Sequence, residues 1–164
     1  WIQVDRCRLV GILGMGGIGK SALSVKLAQQ IQAEFDYVIW RSLRNAPPLE
    51  GLLRDLVLFL SNQQDMEATP NRLRHWLQAS RCLLIMDNLE TILKAGNRAG
   101  QYRVGYEPYG DLFRMLGESP HQSCVLITSR EKPAEIATFE GMGLAVRSHQ
   151  LRGSLKTALG VIEN

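Results

Sequence analysis

The stretch Gly14-Met15-Gly16-Gly17-Ile18-Gly19-Lys20-Ser21 decides how this chain is read, because it satisfies two nucleotide-binding spacings at once. Gly14, Gly16 and Gly19 spell GxGxxG, the dinucleotide turn, whereas Gly14, Gly19, Lys20 and Ser21 spell GxxxxGKS, the phosphate loop. A dinucleotide fold places an acid about 20 residues onward, at the end of the second strand, to hold the ribose hydroxyls. Here the corresponding strand ends in Trp40, Arg41 and Ser42. A phosphate loop instead needs backbone N–H groups around the phosphates, a Lys for the terminal phosphates and a hydroxyl for Mg²⁺. Lys20 and Ser21 supply the last two. It also needs an acid at the tip of a distant apolar strand to fix the metal. The run Cys82 to Asp87, CLLIMD, ends in one. The expected nucleotide-binding segment is therefore Gly14, Met15, Gly16, Gly17, Ile18, Gly19, Lys20, Ser21 and Ala22, with Ser21 and Asp87 on the metal. The bland alternative makes Lys20 and Ser21 a solvated helix start and Asp87 a strand-end cap.

Outward from the loop, Arg8 to Leu13, Cys82 to Asp87 and Ser123 to Thr128 are apolar at nearly every position. A strand covered on both faces requires that pattern. Tyr37 to Leu43 is a fourth strand, and Gly143 to Gln150, with Leu144 and Val146 alternating, a weaker fifth. Lys20 to Glu34 repeats Leu23, Leu27, Ile31 and Phe35 at steps of four, one buried helical stripe starting inside the glycine loop. Pro48 to Asn62, Pro70 to Ala79 and Glu107 to Leu116 are further helices, the first two with Pro where an opening turn accepts it. This alternation predicts an α/β domain, three layers deep, with a mainly parallel sheet and right-handed crossovers. Lys94 to Tyr109 interrupts the rhythm, and its three tyrosines point to an ordered loop.

At 164 residues the chain is long enough to bury a real core. Nineteen basic residues face sixteen acidic ones without a Lys or Arg run, which gives no footprint for nucleic acid. Cys7, Cys82 and Cys124 lie in or beside apolar runs and show no metal-ligand spacing, as expected of reduced core thiols in a cytoplasmic protein. No run reaches the roughly 18 apolar residues of a membrane span.

Arg130, at the end of VLITSR, is placed to sense a γ-phosphate, although a plain surface Arg is the competing reading. His75, His121 and His149 are far apart in sequence and default to surface or core roles. Neither NKxD nor DxxG occurs, which disfavours a guanine-specific switch; a small-molecule kinase stays open.

GMGGIGKS, FDYVIWRSL, CLLIMDNLE and VLITSRE, in this order and at these separations, resemble the nucleotide-binding subdomain of the NB-ARC group of STAND signal-transduction ATPases. The likeness covers about residues 7 to 150 and is to bacterial members, in which helical and winged-helix regions and repeats such as WD40 follow. The resemblance implies a five-stranded sheet of order 2-3-4-1-5, in a P-loop NTPase fold spanning residues 1–150. Residues 151–164 would then open the following ARC region. It implies an ADP-held resting form and an ATP form that forms homo-oligomers. Lys20 would contact the β/γ-phosphates, Ser21 the Mg²⁺, Asp87 the metal directly or through water, and Arg130 the γ-phosphate; these three, Lys20, Asp87 and Arg130, are the expected catalytic set.

Many members carry a second acid after the Walker B Asp, where this chain has Asn88. An amide accepts no proton, so hydrolysis should be weak unless Glu90 substitutes. Two functions follow: an ADP/ATP switch with slow hydrolysis, or a non-hydrolysing scaffold with structural nucleotide. In the family the adenine also contacts the downstream subdomains, so this stretch should hold phosphates better than base and present an apolar face to those subdomains.

Overall fold

The computed structural model describes residues 1–96, 100–141, 143, 145–152 and 162. Most of the expected 151–164 region lies outside the described residues, as do Asn97, Arg98 and Ala99 of the insertion and Leu144 of the last strand.

Five strands, β1 (Leu9–Leu13), β2 (Tyr37–Ser42), β3 (Cys82–Asp87), β4 (Cys124–Ser129) and β5 (Val146–Gln150), form one all-parallel sheet. The order is β2-β3-β4-β1-β5, as expected, with β1 between β4 and β5. Side chains alternate across the sheet at period two. Leu84, Met86, Val125 and Ile127 join one core, and Leu83, Ile85, Cys124 and Leu126 the other. Both faces are covered, which is why these strands are apolar throughout.

The strand ends shift by a few residues for local reasons. Ser123 stays outside β4 because its hydroxyl donates to the carbonyls of Leu77 and Ser80 and accepts from the Cys82 N–H, stapling the strand starts. Arg8 donates to the Ala145 carbonyl at 2.7 Å and precedes the ladder.

Helix α1 (Lys20–Ile31) buries Leu23, Leu27 and Ile31 against one face of the sheet. Its expected last turn, Gln32–Glu34, tightens to a 3-10 turn, which leaves Phe35 only half-buried. On the other face lie α2 (Leu49–Leu60), α3 (Pro70–Ala79), α4 (Glu107–Glu118) and α5 (Ala134–Phe139). Pro48 is the N-cap of α2 rather than part of its first turn. In α3 Pro70 opens the helix and the Thr69 hydroxyl accepts from the Arg72 N–H.

The aromatic insertion is ordered where it is described. Leu93 and Tyr102 form an antiparallel bridge. The hydroxyls of Tyr106 and Tyr109 donate to the carbonyls of Ala46 and Pro47, at 2.7 and 2.9 Å, and Tyr102 donates to Glu135 at 2.8 Å. The first two bonds fix the segment that follows β2, and the third reaches α5. No helix among the described residues is long and apolar enough to cross a membrane.

Candidate functional site

Strands β1, β3 and β4 end side by side at one edge, with Leu13 in register with Ser129. The glycine loop leaves β1 there, anchored by a hydrogen bond from the Gly14 N–H to the Ser129 carbonyl at 3.1 Å. Gly19, the N-cap of α1, has φ 100°, a left-handed conformation that glycine adopts without strain. No side chain caps α1, so its leading N–H groups and the positive end of its dipole face outward, an arrangement suited to an anion.

Lys20 is 7% exposed, and its ammonium donates to the carbonyls of Gly14 at 2.8 Å and Met15 at 3.1 Å. The Ser21 hydroxyl lies 2.8 and 3.0 Å from the two carboxylate oxygens of Asp87. Asp87 is buried and also accepts from the Thr128 hydroxyl at 2.5 Å. Thr128 in turn accepts from the Asn88 N–H at 3.0 Å. The acid is thus clamped between two hydroxyls, with an orientation fixed by its neighbours.

At Asn88 the backbone turns left-handed, with φ 67°, which Asn tolerates better than most residues. A 3-10 turn, Leu89–Ile92, follows and carries Glu90 back to the loop. Arg130 reaches the same place from β4, with Nε 3.4 Å from Glu90 Oε1. Its guanidinium lies against Gly16, where an added Cβ would be 2.8 Å from Nη2.

A cavity of about 310 Å³ results. Gly16, Gly17 and the residues Gly19 to Ala22 line one side, and Arg44, Asn88, Glu90 and Arg130 the other. Of the expected segment, Gly14, Met15 and Ile18 do not line it: Met15 is 77% exposed, and Gly14 and Ile18 pack beneath the loop. Asp87 lies behind Ser21 rather than on the wall.

Two contributors have no counterpart in the motif reading. Thr128, one residue before the end of β4, puts a hydroxyl into a largely apolar strand, a weak signal taken alone. Arg44 lies just past β2, in no recognisable spacing. None of the histidines lines this cavity. His75 is exposed beside Trp76, His149 packs on Trp1, and His121 holds the Leu116 carbonyl at 2.9 Å. A second cavity of the same volume lies at the opposite, amino-terminal ends of the strands, near Cys7, Arg81 and His121, away from every motif residue.

Mg²⁺ prefers hard oxygen ligands and commonly takes one or two carboxylates, with phosphate and water completing its shell. Ser21 and Asp87 are such a donor pair and already lie within one hydrogen bond of each other. Among the described residues no group of three or more His, Cys, Asp or Glu could hold a metal alone. A metal here would depend on phosphate oxygens.

The sheet order and the glycine loop between β1 and α1 define an α/β fold of the P-loop NTPase kind. The NB-ARC domain family matches residues 2–94, and the chain belongs to that family, whose domains are nucleotide-binding modules of the STAND type. Over 167 aligned positions it is 48% identical to a WD repeat-containing protein of Nostoc sp., covering 93% of this chain and 13% of that protein. A disease resistance-like protein of Arabidopsis thaliana is 29% identical over 98 residues, 54% of this chain and 8% of that protein. The chain spans only a small part of either relative. Among solved structures, a chain of the Escherichia coli MS115-1 HORMA:CdnC:Trip13 complex matches with a TM-score of 0.52. That match covers 90% of this chain and 50% of the other at 15% identity, a likeness of fold alone.

Proposed function

We propose that this chain is the ADP/ATP-binding module of a STAND switch protein, with slow Mg²⁺-dependent hydrolysis and a conformational response to the nucleotide bound. The observation that supports this best is the convergence of Lys20, Ser21 and Arg130 on one cavity, with Asp87 hydrogen-bonded behind Ser21, at the ends of β1, β3 and β4. In this reading the loop N–H groups and Lys20 bind the phosphates. Ser21 and Asp87 would hold Mg²⁺, which would supply charge neutralisation for the bound phosphates. Thr128 orients Asp87, and Arg130 distinguishes ATP from ADP through the γ-phosphate. Residues 1–150 act as the nucleotide-binding unit. Residues 151–164 lead to downstream ARC and winged-helix subdomains of the same chain, in a cytoplasmic protein that assembles into homo-oligomers in its ATP form.

The test is calorimetric titration of the full-length protein with ADP and ATP, each with Mg²⁺, beside GDP. Lys20→Ala should weaken adenine-nucleotide binding by roughly 30-fold or more, about 2 kcal/mol. Binding unchanged in this variant would sink the proposal.

A second reading, a non-hydrolysing scaffold with structural nucleotide, is favoured by the amide at Asn88. It predicts that Asp87→Asn alters no turnover because there is none to alter. Under the switch reading the same change removes Mg²⁺-dependent hydrolysis.

A further inference from the structure

We infer that Glu90 is the carboxylate that orients the attacking water at this site, and that Arg130 holds it in reserve until a γ-phosphate arrives. The inference rests on the nucleotide-binding reading above and assigns the residue that would make it hydrolytic.

Glu90 is 14% exposed at its side chain and lines the same cavity as Lys20 and Ser21. Its two oxygens are in different circumstances. Oε1 faces Arg130 Nε at 3.4 Å, whereas Oε2 is buried with no hydrogen-bond partner among the described residues. A buried carboxylate oxygen without a donor is costly, so the carboxylate gains by turning into the cavity, where water reaches it, once Arg130 releases Oε1. Asn88 Oδ1 is also buried and unpartnered, but an amide takes no proton. Glu90 supplies the acid that the position after Asp87 lacks.

The platform is fixed. The Thr91 hydroxyl donates to the Leu43 carbonyl at 2.5 Å and lies 3.0 Å from the Asn88 carbonyl, and the Leu93 N–H closes the turn on Glu90 O at 3.2 Å. With its backbone held this way, Glu90 needs only a side-chain rotation to aim a water.

In the step itself the water oxygen bonds to the γ-phosphorus while the bond from that phosphorus to the β-bridging oxygen breaks. The electron pair leaves with ADP, and the water proton passes to the Glu90 carboxylate and then to solvent. The sum is ATP and water giving ADP, phosphate and a proton. Arg130 makes the arrangement conditional. A γ-phosphate, bearing more negative charge than a carboxylate, draws the guanidinium from Oε1; ADP offers no such competitor, and the pair stays closed.

The experiment compares wild type, Glu90→Gln and Glu90→Asp in the full-length protein, with single-turnover hydrolysis and calorimetric affinities for ATP and ADP measured in parallel. Glu90→Gln should slow hydrolysis by about 100-fold or more and raise the affinity for ATP relative to ADP, because Arg130 is freed for the γ-phosphate. An anchoring role alone would not produce that opposite movement of rate and affinity. If Glu90→Gln does not fold, Glu90→Asp decides: its carboxylate is withdrawn by one methylene, and hydrolysis should fall at least ~10-fold with ADP affinity kept. Wild-type rates in the variant measured overturn the inference. So does wild-type hydrolysis no faster than buffer, which leaves nucleotide binding standing. ADP affinity unchanged in Lys20→Ala instead rejects the nucleotide-binding reading itself, so the two failures are distinct.

Discussion

Gly16 and Gly19 belong to one loop and are glycine for different reasons. Gly19 sits at φ 100°, so Gly19→Ala forces a side chain into left-handed backbone and should cost about 1–2 kcal/mol, read from the urea midpoint. Gly16 has an ordinary backbone but supports the Arg130 guanidinium. Gly16→Ala should leave the midpoint within about 0.5 kcal/mol while displacing Arg130, and calorimetry should find the affinity for ATP lowered relative to that for ADP. Equal effects of the two changes on stability would contradict this division. His121 gives a residue-scale prediction of another kind. Burial lowers its pKa, and the Arg8 charge adds to that, against the opposing hydrogen bond to the Leu116 carbonyl. The unfolded chain therefore takes up a proton at this position first, as pH falls below the ordinary value near 6.5. Stability should decline through that window, and His121→Gln should flatten the decline in melting temperature between pH 7 and pH 5.

At the scale of elements, the insertion and α5 are tied by one buried pair. The hydroxyl of Tyr102 donates to Glu135, both 7% exposed. Tyr102→Phe strips a buried carboxylate of its donor and should cost about 1–3 kcal/mol in chemical denaturation. Thr69→Ala, which removes the cap of α3, should cost about 1 kcal/mol. Elements differ in how far their residues alone declare them. The β3 limits, Cys82–Asp87, and the α3 limits, Pro70–Ala79, are readable to the residue, because one ends at the motif acid and the other opens on Pro. Helix α5 is not: six residues, AEIATF, are too few for a helical period to declare itself. Lys20, Ser21 and Asp87 can be paired from the amino-acid sequence alone, since a loop spacing and a strand tip mark them. Thr128 and Arg44 cannot, because a single polar residue at a strand end has no spacing to match. The approach of Glu90 to Arg130 depends on the left-handed turn at Asn88, which local sequence only permits.

Across the whole molecule the three thiols report on integrity. Cys7, Cys82 and Cys124 are free and buried. Desolvation pushes all three pKa values up, Cys82 to about 11. A thiol-reactive disulfide reagent at pH 8 should leave the native protein almost unlabelled and react with all three on unfolding; prompt native labelling of Cys82 would contradict the packing at the strand starts. The sheet order has one more consequence, in time rather than space. Strand β1 pairs only with β4 and β5, the last two strands of the sheet to be synthesised. At a ribosome's pace of about 5–20 residues per second, β1 waits on the order of ten seconds for a partner. The glycine loop it carries gains its Ser129 anchor only when this sheet is nearly complete, so the capacity to take up cellular nucleotide is expected to arise late in synthesis.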